Sequence, residues 1–239
     1  MGLFSFINFF SGCGAAMNKE AKPVTHFKWY PVATAPRDYP MEVINGTFFY
    51  KGQNVGLAIP YGGTLRQGWG KSSSSYVLGD EIPPLPDRVK VKFYSYAENQ
   101  FYEAEFALPY EAILEKLQQF QPEGPNARNY SHFILGIAPG GAMSVWLGGP
   151  KVLEVFFGQA EKIEMTPSAA FKLPFKSKEQ SDHYVASALA ESVTPEQLAY
   201  IKKMAHLLAL GRVIVIFTSG RRYIKRESLL LTQKWPQTI

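Results

Sequence analysis

Residues 88–108 read RVKVKFYSYAENQFYEAEFAL and carry a clear strand pattern. Apolar and polar residues alternate on both sides of Glu98-Asn99, which predicts two antiparallel strands joined by a two-residue turn. One face is then apolar, and its cross-strand pairs are Val89 with Leu108, Val91 with Phe106 and Phe93 with Ala104. The other face carries Lys92 opposite Glu105 and Tyr94 opposite Glu103, so we expect it to be a solvated ladder of opposite charges.

The residues before this hairpin also predict strands. Tyr39 to Ile44 runs into Asn45-Gly46, a strong signal for a tight hairpin turn, and Thr47 to Tyr50 forms the returning strand. A further turn at 51–54 leads to a strand over 55–59. Residues 60–87 are rich in Pro, Gly and Ser and predict a long loop.

The residues after the hairpin predict one helix and three more strands. Pro109 opens a helix whose apolar stripe is Tyr110, Ile113, Leu114, Leu117 and Phe120. A second hairpin is predicted from 131–137 and 142–147 around Pro139-Gly140-Gly141, followed by a strand over 152–157. The fold class is therefore α+β, mainly antiparallel β meander and hairpins with one packed helix and a helical C-terminal segment.

Two capping sequences mark the helices of that C-terminal segment. Ser177 and Thr194 are each followed three residues later by Gln, and Pro195 occupies the favoured first helical position. A short buried strand is predicted from Val213 to Phe217. Arg221 to Arg226 holds four cations in six residues. We interpret that cluster as a solvated edge strand, the alternative being an anion or partner site.

The N-terminus predicts a lipoprotein leader. Residues 3–10 are apolar but too short to span a bilayer, and Ser11-Gly12 places small residues before Cys13, the single cysteine of the chain. The pattern divides the chain into a signal peptide (1–12), a tether (13–23), an antiparallel β-rich domain (24–165) and a helical extension with a short strand (166–239), packed on the same core. The alternative is an apolar N-terminal element with Cys13 buried as a structural residue.

Composition excludes several classes of protein. The 239 residues are 46% hydrophobic and 19% charged, enough to build a core, and the net charge of +5 is modest for a dedicated nucleic-acid binder. One cysteine cannot form an internal disulfide, and the four histidines are scattered, so we expect no metal site and no cofactor.

Motifs for catalysis are also missing. The stretch 63–72 departs from the spacing of a phosphate-binding loop, and nucleophile-elbow and zinc-protease motifs do not occur. Ser131 and His132 are adjacent, but neighbouring strand residues point to opposite faces, so we expect no nucleophile and base pair there. The sequence therefore predicts a protein that is not an enzyme.

Several stretches resemble a bacterial lipoprotein family catalogued as domain of unknown function 2931. They include FKWYPVATAPRDYPMEVINGTFFY (27–50), IPYGGTLRQGWG (59–70), ILGIAPGGAMSVWLGG (134–149) and TPEQL (194–198), and the resemblance covers about residues 27–200. It implies acylation of Cys13. Because several members are encoded beside type VI secretion phospholipase effectors, it also implies an immunity role. The resemblance fades after Gly211 and implies no catalytic residues.

The leading hypothesis is a periplasm-facing, lipid-anchored protein, on the outer membrane, that neutralises a lipase-type effector by protein-protein occlusion. Aromatic residues expected to be exposed, together with one arginine, are the candidate contacts: Tyr61, Arg66, Trp69, Tyr94, Tyr96 and Phe101. The alternative is a ligand-binding lipoprotein that holds a glycan or small molecule between Trp69 and Tyr76. A third hypothesis, a hydrolase, requires a serine, a histidine and an acid to converge in a cleft.

Overall fold

The computed structural model describes residues 26–71, 82–119, 129–209, 213–218, 221–226 and 229–231. After residue 203 the description covers secondary structure alone. The predicted signal peptide and tether with Cys13, the predicted stacking residue Tyr76 and the predicted helix residue Phe120 lie outside the described residues.

Strands dominate the first two thirds of the chain. They are β1 (Tyr30–Thr34), β2 (Met41–Tyr50), β3 (Gly56–Ala58), β4 (Thr64–Leu65), β5 (Pro86–Ser95), β6 (Gln100–Ala107), β7 (His132–Ile137), β8 (Ala142–Gly148), β9 (Val152–Gln159) and β10 (Glu161–Ile163). Helix α1 (Tyr110–Gln119) follows β6. The later elements are α2 (Pro167–Phe171), α3 (Lys178–Ser192), α4 (Pro195–Ala209), β11 (Val213–Thr218), β12 (Arg221–Arg226) and β13 (Leu229–Leu231).

These strands form three sheets. The first has the order β1-β7-β8-β9, and its β1-β7 pair is parallel. The second is fully antiparallel, with the order β10-β6-β5-β2-β3 and with β4 also paired to β2. The third has the order β11-β12-β13. The α+β class with mainly antiparallel strands is therefore confirmed, whereas the parallel pair was not predicted.

The inner faces of the first two sheets enclose the main core. Phe48 of β2 and Phe133 of β7 have ring centroids 5.7 Å apart, and Trp29 lies 4.7 Å from Phe133. Helix α1 contributes Ile113 and Leu117 to the same core, as its apolar stripe predicts. The two sheets and α1 thus share one hydrophobic core.

The central hairpin has the predicted faces but a different register. Val89 pairs with Phe106, Val91 with Ala104 and Phe93 with Tyr102, so the strands are shifted by two residues from the prediction. The connection is a four-residue turn over 96–99, in which Asn99 has a left-handed φ of 51°. Because the shift is an even number of residues, each side chain stays on its predicted face.

The hairpin predicted at Asn45-Gly46 is wrong. Strand β2 runs through both residues, and its pairing with β5 has an irregularity between Val43 and Asn45. Gly46 is needed for packing, since a Cβ there would lie 2.9 Å from Ile59 Cδ1 and 3.1 Å from Val91 Cγ2. The glycine therefore serves a close approach inside the sheet and not a turn.

The C-terminal helices begin where the capping sequences predict. Gln197 N donates to Thr194 Oγ1 (3.2 Å) and Thr194 N donates to Gln197 Oε1 (2.9 Å), which completes a capping box before α4. Ser177 caps α3. The described part of the extension holds β11 and β12, which were both predicted as strands, and a third strand, β13, which was not; β12, which carries the basic cluster, lies between the other two. The edge-strand interpretation of residues 221–226 is therefore wrong.

Candidate binding surfaces

Three of the predicted contact residues are buried, which corrects the expectation that they are exposed. Tyr94, Tyr96 and Phe101 keep 1%, 3% and 7% of their surface. Phe171 of α2 packs edge-on against Tyr94 with a centroid distance of 5.3 Å. These side chains form a second apolar cluster with α2, α3 and α4, so they hold the helices to the sheet.

The outer face of the central hairpin is divided into two halves. At one end Lys90 Nζ lies 2.9 Å from Glu105 Oε2, and Lys92 Nζ lies 3.5 Å from Glu103 Oε1. This half is the predicted charge ladder. The other half, toward the turn, lies under the helices. Periodicity indicates the face of a strand but does not show which half of it is covered.

Trp69 and Arg66 stabilise the loop that follows β4. The ring of Trp69 packs edge-on against Trp146 of β8 at 4.9 Å. The Arg66 guanidinium donates to the carbonyl of Ser192, the last residue of α3, where cations are favoured. Thr34 Oγ1 donates to Gly68 O at 2.6 Å. The loop is therefore fastened to the first sheet and to α3.

Tyr61 is the predicted aromatic contact that remains exposed, with 58% of its surface accessible. It borders a groove of about 350 Å³ between β2 and α2, here called the Tyr61 groove. Apolar atoms of Ile44, Phe49 and Met165 line this groove. Its cations are Lys90 and Lys172, and Lys172 Nζ lies 5.4 Å from the centroid of the Tyr61 ring.

Lys172 has an unusual backbone. It ends α2 with a left-handed φ of 55°, a conformation that normally favours glycine. For a lysine this conformation costs roughly 1–2 kcal/mol. Tyr61 was identified from its place in the loop, whereas nothing in the sequence marked Lys172.

A larger cleft of about 730 Å³ lies on the outer face of the first sheet, beside the same loop. We call it the sheet cleft. Its lining comprises Phe27, Lys28, Tyr30, Gly70, Lys71, Asn129, Tyr130, Ser131, His132, Ile134, Gly148, Gly149 and Val152. Trp69, proposed as a stacking face for a ligand, packs against Trp146 and is not among the lining residues.

Ser131 and His132 lie closer together than the sequence predicted. Ser131 Oγ is 3.1 Å from His132 Nδ1, because Ser131 precedes β7 and strand alternation does not apply to it. Burial lowers the pKa of His132, and a hydrogen bond with the Gly148 backbone opposes this with a smaller effect. Burial therefore favours the neutral form of the His132 imidazole. The described part of the cleft lining contains no aspartate or glutamate.

The described residues contain neither a cluster of metal-ligating side chains nor a membrane-spanning helix. No group of three or more His, Cys, Asp or Glu side chains in that part of the chain is arranged to hold a metal ion. None of the described helices is both long and apolar enough to cross a membrane.

Comparison with protein families identifies the chain. The model of a family described as protein of unknown function (DUF2931) matches residues 15–205. The chain belongs to the DUF2931 family. No curated protein and no solved structure matches it significantly.

The DUF2931 match includes both large sheets and ends within α4. It contains the Tyr61 groove and the sheet cleft, so both surfaces are formed by residues of the DUF2931 region. The three-stranded sheet with the basic cluster lies beyond the match. This agrees with the fading of the resemblance after Gly211.

Proposed function

We propose that this chain is a lipid-anchored, periplasm-facing immunity protein that neutralises a type VI secretion phospholipase effector by occluding it. The supporting observation is the Tyr61 groove, where an exposed aromatic ring borders an apolar floor and two lysines. Exposed aromatic anchors beside small apolar pockets are frequent hot spots of protein-protein interfaces. The resemblance of the chain to lipoproteins encoded beside such effectors supplies the class of partner.

The strained backbone of Lys172 also supports this proposal. Glycine at that position would remove the cost of the left-handed conformation, yet the chain has a lysine whose ammonium lies over the Tyr61 ring. A cation in this place suits an acidic partner surface, and the net charge of +5 would speed association with it. The Tyr61 groove is thus proposed as the center of the contact with the effector.

A capture experiment with four forms of the full-length chain tests the function. Wild type, Tyr61→Ala, Lys172→Gly and the control Val55→Ala are used as tagged bait in lysate of the source bacterium. Val55 is a suitable control because it is an exposed apolar residue in a turn and does not line the groove. Captured proteins are identified by mass spectrometry, and their hydrolysis of phospholipid vesicles is then measured.

We expect wild type and Val55→Ala to capture a lipase-type protein and to suppress its activity at one equivalent. Tyr61→Ala and Lys172→Gly are expected to lose most of this capture. Lys172→Gly relieves backbone strain, so its loss of binding cannot be ascribed to unfolding. If folded wild type captures no lipase-type protein, the immunity function is wrong. Equal capture by all four forms would instead rule out the Tyr61 groove as the contact.

A further inference from the structure

The sheet cleft has no part in the proposed function, and the charged residues of its described lining all carry the same sign. Among the described residues that line it, two are lysines, Lys28 and Lys71, and none is a carboxylate. Both lysines are exposed. A concave surface lined by charge of one sign concentrates counter-ions, so the electrostatic field of the cleft favours an anion.

The remaining lining offers an apolar wall and neutral hydrogen-bonding groups. Tyr30 and His132 have ring centroids 6.2 Å apart, and Lys28 Nζ is 5.9 Å from the Tyr30 ring. Val152, at the start of β9, keeps 55% of its surface accessible. An anionic group held by the lysines would leave its organic part against this apolar wall.

Two glycines leave part of the cleft lining without side chains. At Gly148 a Cβ would lie 2.7 Å from Ile134 Cδ1, and at Gly149 it would lie 2.7 Å from Asn129 O. Both positions therefore exclude larger residues, and both line the cleft. The volume of about 730 Å³ is within the range of small-molecule sites.

We propose that the sheet cleft binds a phosphate monoester, with Lys28 and Lys71 holding the phosphate and Tyr30 and Val152 contacting the organic part. The charge of the site favours this class over a carboxylate. A phosphate monoester carries about −1.5 to −2 at pH 7, which matches two lysines, whereas a carboxylate carries a single charge. The ester can come from a soluble metabolite or from a lipid headgroup.

Calorimetric titration of the full-length chain carrying Cys13→Ser tests the site. The probes are sn-glycerol 3-phosphate, with glycerol as the neutral control, and phosphatidic acid vesicles, with phosphatidylcholine vesicles as their control. The variant Lys28→Gln/Lys71→Gln removes both cations of the cleft. Lys116→Gln/Lys162→Gln is the matched control, because it removes two exposed lysines elsewhere and leaves the same net charge.

We expect the cleft variant to raise the Kd of the phosphate probe at least about tenfold, since charge-assisted contacts are lost, and the control variant to leave it unchanged. If glycerol phosphate shows this pattern, the ligand is soluble. If only phosphatidic acid vesicles do, it is a lipid headgroup. The site is refuted if neither probe binds, if glycerol binds as well as its phosphate, or if both double variants weaken binding equally.

Discussion

Glu42 of β2 is a buried carboxyl group. It keeps 8% of its surface and accepts a hydrogen bond from the Tyr96 hydroxyl. Burial raises the pKa of Glu42, and the bond from Tyr96 opposes this rise with a smaller effect. Burial, together with Glu42, raises the pKa of Tyr96 in turn. The native state therefore holds a proton on Glu42 more tightly than the unfolded chain does.

This preference makes stability depend on pH. A carboxyl whose native pKa lies above its unfolded value of 4.5 adds stability below that value, which is lost as pH rises through the native pKa. We expect Glu42→Gln, which keeps an acceptor for Tyr96, to unfold at higher urea than wild type at pH 8. The difference should vanish near pH 4. The exposed Glu164→Gln is the control, and a wild-type advantage at pH 8 would contradict the argument.

At the scale of elements, the alternation in residues 88–108 predicted which side chains face the main core, and this was confirmed for Val89, Val91 and Phe93. The other face is solvated at the charge ladder alone, because its half near the turn is covered by the helices. The register was not predictable, because two-residue and four-residue turns preserve the same faces. The capping sequences before α3 and α4 located both helices, since a cap satisfies backbone donors that a helix leaves open. Local sequence patterns thus predicted the structure correctly where each pattern is compatible with only one structure.

The sequence Asn45-Gly46 is compatible with two structures, a hairpin turn and a continuous strand. A tight hairpin turn would require a left-handed backbone conformation at both Asn45 and Gly46. In the observed strand the sequence requirement falls on Gly46 alone, because neighbouring side chains leave no room for a Cβ there. We expect Gly46→Ala to lower the free energy of unfolding by about 1–3 kcal/mol through overpacking. Asn45→Ala, at an exposed position, should change it by less than about 0.5 kcal/mol. Urea unfolding measures both, and comparable losses would favour the turn.

The binding surfaces were less predictable than the elements. Tyr61 could be found because it follows Pro60 in a loop, but the sheet cleft draws Tyr30, Lys71 and His132 from three distant segments. The parallel pairing of β1 with β7 brings Tyr30 opposite His132. Without that pairing, the sequence gives no reason to consider these residues together.

At the scale of the whole molecule, the chain has a core between its sheets and a second cluster under the helices. We expect a chain that ends at Met165 to expose Tyr94, Tyr96 and Phe101, and therefore to bind a hydrophobic dye and to aggregate. A chain that ends at Ala209 keeps α2 to α4 and should stay soluble without binding the dye. A soluble, dye-free chain ending at Met165 would show that 24–165 is an independent domain.

The proposed anchor concerns the whole molecule as well. We expect wild type to fractionate with membranes and Cys13→Ser to move to the soluble fraction, because acylation at this residue would supply the attachment. Detection of the acylated N-terminal peptide by mass spectrometry is the direct measurement. Retention of Cys13→Ser in the membrane fraction would exclude lipidation at Cys13 as the attachment.

The parallel pair of β1 and β7 has a consequence for the order of folding. Strand β1 can pair in the first sheet only after β7 has been synthesised, because Tyr30 pairs with His132. Strands β5 and β6 are adjacent in the chain and can pair as soon as the turn between them forms. Contacts so far apart in the chain are slow to form, since a long loop must close before they add stability. During synthesis, β1 therefore cannot make its pairing in the first sheet until β7 has left the ribosome, so this sheet begins to assemble later than the β5-β6 hairpin.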